Sequence, residues 1–154
     1  MSVLAIISPD SWDLPLFVHI LSAMALVGAT TLAVASLAAA WRNGSLALTR
    51  LGYRALLLGV IPAWIVMRLS AQWIVDKEGL EDANLAWIDI GFIVAEPILL
   101  LVIIATVLAG LAMRRASRGD SAGPSVGARV ATGLVSFALL AYLVAVWAMT
   151  TKPT

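Results

Sequence analysis

The stretch that decides the fold is IVAEPILLLVIIATVLAGLAM (residues 93–113), in which Glu96 is the only charged residue. A helix needs about 20 predominantly apolar residues to cross the hydrocarbon core of a bilayer. This stretch meets that requirement, and its Leu, Ile, Val and Ala residues lack the alternating pattern of a transmembrane β-strand. We therefore predict a transmembrane helix over about residues 85–113.

Three further stretches have the same character, at about residues 14–41, 51–75 and 127–150. Hydrophobic residues make up 62% of the 154-residue chain and charged residues 12%, so the chain cannot supply the polar surface that a small soluble domain needs. This composition excludes a soluble enzyme and a disordered chain. We predict one domain, residues 1–154, that is an all-α integral membrane bundle of four transmembrane helices.

Arginine is distributed unequally between the two ends of this predicted bundle. The second connection and the segment before the first helix carry mainly acidic residues, with Lys77 as their one basic residue. The first and third connections are flanked by seven arginines: Arg42, Arg50, Arg54, Arg114, Arg115, Arg118 and Arg129. The positive-inside rule then predicts that both termini are extracytoplasmic. Because the chain is rich in Ala and uses Arg more than Lys, we expect a multi-pass protein of the plasma (inner) membrane of a bacterium.

Five polar residues fall in the outer half of the predicted bundle, where each needs a partner or a function. A rise of 1.5 Å per residue places His19, Arg68 and Glu96 about 8, 10 and 16 Å below the outer helix ends. Gln72 and Asp89 lie nearer the surface. Arg68 requires hydrogen-bond acceptors, and Asp89 and Glu96 share one face of the third predicted helix. We predict a charge network of these residues, which is a structural ion pair or a site for an ion, a proton or a ligand. The third interpretation is that the Arg68 side chain extends to the membrane interface.

Metal chemistry is restricted because cysteine is absent and His19 is the only histidine. One chain therefore cannot build a multi-histidine zinc site, a thiolate site or an Fe–S cluster. Haem or copper could still bind to His19 together with Met67 or Met149, or with the His19 of a second copy. The other interpretation is that His19 is a hydrogen-bonded packing residue.

The stretch LFVHILSA (residues 16–23), followed by Gly28, resembles the first helix of several bacterial four-helix membrane families. These include the membrane domain of copper-resistance D-type proteins and uncharacterised integral membrane proteins. In them a histidine near the outer end of the helix precedes small residues and a glycine. The resemblance implies a helical bundle in which His19 binds haem b or copper.

The sequence contains no Ser–His–Asp arrangement and no metal-hydrolase spacing, so we predict no catalytic residues. The formal net charge of +1 gives no indication of nucleic-acid binding. We favour a small non-enzymatic membrane subunit or binding protein that works as a homo-oligomer or with other membrane subunits. Two alternatives stay open. One is a redox component that binds haem or copper through His19, and the other is a proton-coupled transporter of small solutes that uses Glu96 beside the helix-bending Pro97.

Overall fold

The computed structural model describes residues 10–78, 86–119 and 126–151, with side chains described over 14–77, 95–119, 126–148 and 150. The first helix, α1, is Asp10–Asn43. Helix α2, Leu46–Arg54, continues without a break through a π-helical turn, Ala55–Val60, into α3, Ile61–Glu78. Helix α4 is Ala86–Ser117 and helix α5 is Val126–Thr151.

Four helical spans are long and apolar enough to cross a membrane: Leu14–Asn43, Leu46–Lys77, Ala95–Ser117 and Val126–Ala148. The prediction of an all-α, multi-pass bundle of four transmembrane helices is therefore confirmed. At every end except the start of α4, the helices extend one to five residues beyond the predicted spans, because hydropathy marks only the part that suits lipid. The orientation of the termini stays a prediction.

The turn between α1 and α2 has local causes in the sequence. Gly44 adopts a φ of 63°, a left-handed conformation that glycine reaches without steric cost. Ser45 then caps α2, since its Oγ accepts a hydrogen bond from the backbone N–H of Leu48 at 3.4 Å. The start of α5 lies near the end of α1, where the Arg129 guanidinium stands 5.3 Å from the centre of the Trp41 ring. The first and third connections therefore lie at the same end of the bundle.

The buried apolar core of the described residues lies within 26–37, 55–60, 98–109 and 131–142. Helix α1 packs against the α2–α3 span and against α5, whereas α4 packs chiefly against α5 and α2 and makes fewer contacts with α3. The largest side chains that are fully buried come from every span and include Leu26, Leu37, Leu56, Val102 and Val135. The buried serine and threonine hydroxyls donate to backbone carbonyls three or four residues earlier in the chain, as where Thr30 Oγ1 donates to the Leu26 carbonyl at 2.6 Å.

Two glycines let the α2–α3 span approach α1 closely. A Cβ atom at Gly52 would lie 2.6 Å from Cγ of Leu37, and one at Gly59 would lie 2.9 Å from Cβ of Ala29. Gly59 belongs to the π-helical turn, in which the N–H of Ile61 bonds to the carbonyl of Leu56. Such turns alter the rotation of the helix that follows. The faces that α3 turns toward α1 and α4 are therefore set at this turn.

Candidate charged site between α3 and α4

Three polar side chains follow one another at spacings of four along α3. Nη1 of Arg68 donates to Oε1 of Gln72 at 3.2 Å, and Nε2 of Gln72 donates to Oδ1 of Asp76 at 3.0 Å. Residues four apart share a face of an α-helix, which is why these contacts form. The result is a continuous polar ladder from the level of Arg68 to the end of α3.

Arg68, the first residue of this ladder, contacts Glu96 on α4. Nη2 of Arg68 lies 3.9 Å from Oε1 of Glu96, so the two residues form a long ion pair. The side chain of Glu96 is 70% exposed, whereas that of Arg68 is 27% exposed. Pro97 follows in the same helix and, having no N–H, leaves the carbonyl of Ile93 without its usual helical donor. The carboxylate of Glu96 can therefore accept further hydrogen bonds from groups outside this chain.

Trp64 makes a second link between α3 and α4. Its indole N–H donates to the carbonyl of Ala95 at 3.2 Å, one residue before Glu96. Trp64 precedes Arg68 by four residues, so the two side chains lie on the same face of α3. Their two contacts fix this face of α3 against α4, and the position of Arg68 beside Glu96 follows from that arrangement.

His19 lies apart from this ladder, at the contact between α1 and α3. Its Nδ1 is 3.2 Å from the carbonyl of Met67 and 3.3 Å from Oγ of Ser70. A carbonyl can only accept, which assigns the proton to Nδ1 and leaves Nε2 with its lone pair. Met67 provides its main chain to this contact and not its sulfur. Met67 and Ser70 occupy a different face of α3 from Arg68 and Gln72.

The structure thus divides the predicted network into two groups. Arg68, Gln72 and Glu96 come together on the α3–α4 side, and His19 ties α1 to α3. Two further residues of the sequence prediction, Asp89 and Met149, have side chains outside those that the structure describes. Within the described part of the chain, no group of three or more His, Asp or Glu side chains gathers in the manner of a metal site.

Tyr142 of α5 is a polar core residue that the sequence reasoning missed. The residue is 4% exposed and packs with the core, and among the described residues its hydroxyl finds no hydrogen-bond partner. For a tyrosine inside an apolar stretch, the sequence does not show whether the hydroxyl has a hydrogen-bond partner. Its burial is visible only once the helices are packed.

We expect that Tyr142→Phe leaves the thermal stability of the detergent-solubilised protein unchanged or raises the free energy of unfolding by about 1 kcal/mol. The reason is that a buried hydroxyl without a partner carries a desolvation cost, which phenylalanine removes. Tyr53→Phe, at the only other tyrosine, is the matched control. A marked loss of stability in Tyr142→Phe alone would show that a bound water or ligand satisfies the hydroxyl.

Comparison with known proteins provides no relative from which a function could be inferred. The sequence matches no protein-family model and no curated protein, and no solved structure matches the fold. The resemblance of residues 16–23 to the first helix of copper-resistance D-type membrane domains therefore stays a prediction. What the chain offers for functional interpretation is a four-helix membrane bundle with an open, charged face on α3 and α4.

Proposed function

We propose that this chain is a non-enzymatic membrane subunit that associates with a second copy of itself. The surface involved, here called the α3–α4 face, consists of Arg68, Gln72, Glu96, Leu100 and Ile103. The observation that supports the proposal is the 70% exposure of Glu96, a carboxylate at membrane depth whose ion pair with Arg68 spans 3.9 Å.

Lipid is an unsuitable neighbour for such a face. A charged side chain within a bilayer is costly, and acidic residues in transmembrane helices normally face protein or a water-filled cavity. Leu100, one turn beyond Glu96, is 59% exposed, and Ile103 is 42% exposed. Glu96 thus lies at one end of an apolar strip that a second helix can cover. Packing of that kind drives helix association in membranes, and polar side chains add hydrogen bonds across it.

The charges on the α3–α4 face favour a second copy over an unrelated partner. In a twofold interface, each residue pair occurs twice, with the roles of the two chains exchanged. A face that holds one cation and one anion is complementary to itself under this symmetry. Arg68 of each copy can approach Glu96 of the other, which would give the open carboxylate its missing donors.

Energy transfer between fluorescently labelled copies in liposomes tests this association. We expect the native chain to associate at high dilution in lipid, and Arg68→Gln/Glu96→Gln to associate about tenfold more weakly, since about 1 to 2 kcal/mol is typical of polar contacts between membrane helices. Leu140→Gln, which places an amide at a 62% exposed position on α5, is the control and should associate as the native chain does. A native chain that stays monomeric would contradict the proposal.

Location and orientation form part of the same proposal. The seven arginines at one end of the bundle support an arrangement with that end in the cytoplasm and both termini outside. The Ala-rich, Arg-rich composition supports a bacterial inner membrane. Under this orientation, the α3–α4 face lies in the outer half of the bilayer.

The polar ladder favours one alternative, a proton-coupled transporter of small solutes. Arg68, Gln72 and Asp76 connect Glu96 to the end of α3 through hydrogen bonds of 3.2 and 3.0 Å. Under that alternative, solute uptake in liposomes is saturable and is lost in Glu96→Gln. If Glu96→Gln takes up solute as the native chain does, the transporter alternative is wrong.

The orientation of His19 favours a second alternative, a haem- or copper-binding redox component. Metal-ligating histidines usually donate their other ring N–H to a carbonyl or carboxylate, as Nδ1 of His19 does to Met67. The residues present would offer Nε2 of His19, with a further ligand from Met149 or a second copy. A Soret band that His19→Ala abolishes would establish haem, and a colourless, metal-free protein from native membranes would remove this alternative.

A further inference from the structure

The arginine-rich end of the bundle has almost no acidic residues to balance it. Seven arginines flank the α1–α2 and α4–α5 connections, and Asp120 is the one acid in those segments of the sequence. A guanidinium group stays protonated and offers five N–H donors, so each of these side chains needs acceptors. The positive-inside rule explains their number at this end but not their arrangement on the helices.

Helices α2 and α4 bring three of the arginines to the edges of one groove. The Tyr53 ring lies against Gly110, where an added Cβ would be 3.1 Å from Cε2 of the ring. Arg50 precedes Tyr53 by about one turn, and Arg114 follows Gly110 by about one turn. Because α2 and α4 run in opposite directions, Arg50 and Arg114 lie at the same level. We call Arg50, Tyr53, Arg54, Gly110 and Arg114 the α2–α4 groove.

The three arginines of the α2–α4 groove are exposed, and within the described parts of the chain none of them has an acidic partner. Deeper along the same surface, the neighbouring side chains are apolar: Leu58, four residues after Arg54, is 70% exposed, and Val107, three residues before Gly110, is 56% exposed. The groove therefore combines three exposed arginines with an exposed apolar surface toward the membrane centre. That combination matches an amphipathic anion with acyl chains.

We propose that the α2–α4 groove binds the headgroup phosphate of an anionic phospholipid in the leaflet at this end of the bundle. Guanidinium groups bind phosphate oxygens through two parallel hydrogen bonds, which gives geometric specificity as well as attraction. Basic pockets between transmembrane helices are suited to such headgroups. The acyl chains then lie along Leu58 and Val107, a contact that a free phosphate ion cannot make. The site is built within one chain and does not depend on the association proposed above.

Lipid titration of the purified full-length protein in a neutral detergent tests this site. We expect phosphatidylglycerol to bind saturably, by native mass spectrometry and by a rise in melting temperature, and phosphatidylcholine with the same acyl chains to bind far more weakly. Arg50→Gln/Arg54→Gln/Arg114→Gln should bind phosphatidylglycerol about a hundredfold more weakly than the native chain, since each arginine contributes about fivefold. Arg42→Gln/Arg115→Gln/Arg129→Gln removes the same charge elsewhere at this end and should bind almost as the native chain does.

Three results would overturn the proposal. An equal loss in the two triple variants would show that the arginines act only as diffuse charge. If phosphatidylcholine binds as tightly as phosphatidylglycerol, the groove does not select an anionic headgroup. If inorganic phosphate alone stabilises the protein equally, the groove binds a phosphate ion and not a lipid. If the groove variant does not remain monodisperse, the three single substitutions provide the test, each with an expected loss of about fivefold.

Discussion

Two charge-reversed variants, Arg68→Glu and Glu96→Arg, are expected to associate with each other in liposomes but not with themselves. The first variant places two acids on the α3–α4 face and the second places two cations there. In a twofold dimer of either variant, like charges would meet at both symmetry-related contacts, which costs several kcal/mol. When the two variants are mixed, each contact instead joins opposite charges. Energy transfer between the labelled variants measures this directly.

The mixing experiment separates contacts between copies from contacts within one chain. Both variants lose the Arg68–Glu96 pair within the chain, which spans 3.9 Å in the structure, so a purely internal role predicts that the mixture fails as each variant alone fails. Leu140→Glu mixed with Leu140→Arg is the control for general attraction between charges on α5. If that control pair associates as strongly as the Arg68 and Glu96 variants do, the α3–α4 face is not the interface.

Gly52→Ala is expected to lower the free energy of unfolding by about 2 kcal/mol. The new Cβ would lie 2.6 Å from Cγ of Leu37 and 3.3 Å from Oγ of Ser36, and Leu37 is 0% exposed. Overpacking of a filled core typically costs about 1 to 3 kcal/mol because side chains and backbone must shift. Denaturant titration of the protein in mixed micelles, followed by circular dichroism, measures the effect.

Gly28→Ala provides a matched control for Gly52→Ala. Nothing lies within 4 Å of a Cβ at Gly28, so the substitution meets open space. Alanine is the better helix former by about 1 kcal/mol, and we expect a small gain in stability there. Equal effects of the two substitutions would mean that α1 and α2 do not approach each other at Gly52 as the structure shows.

The four spans could be predicted from the sequence because the bilayer imposes a length and a composition on each of them. The stretch at residues 93–113 satisfies that requirement on its own, and α4 contains it entirely. The π-helical turn at Ala55–Val60 could not be predicted in this way. It coincides with the close approach of the α2–α3 span to α1 at Gly52 and Gly59, and such packing leaves no periodic pattern in the sequence.

The sequence predicts how deep each residue of the candidate site lies in the bilayer, but not toward which neighbouring helix its side chain points. Counting residues along each helix places His19, Arg68 and Glu96 in one half of the bilayer, and this common depth favours a single network. Rotation about the helix axis decides which of them meet. In α3 that rotation directs Arg68 toward Glu96 and the carbonyl of Met67 toward His19. The adjacent residues Met67 and Arg68 thus belong to two separate contacts, one with His19 and one with Glu96, which hydropathy alone could not distinguish.

Disulfide cross-linking of single cysteines tests most directly whether the α3–α4 face joins two copies, and the native chain has no cysteine to interfere. Leu100→Cys and Ile103→Cys lie on this face, while Leu140→Cys, which is 62% exposed on α5, serves as the control. In native-composition membranes treated with a mild oxidant, we expect a cross-linked dimer from a position on the α3–α4 face and none from Leu140→Cys. Cross-linking at Leu140→Cys with none at Leu100→Cys and Ile103→Cys would contradict the account.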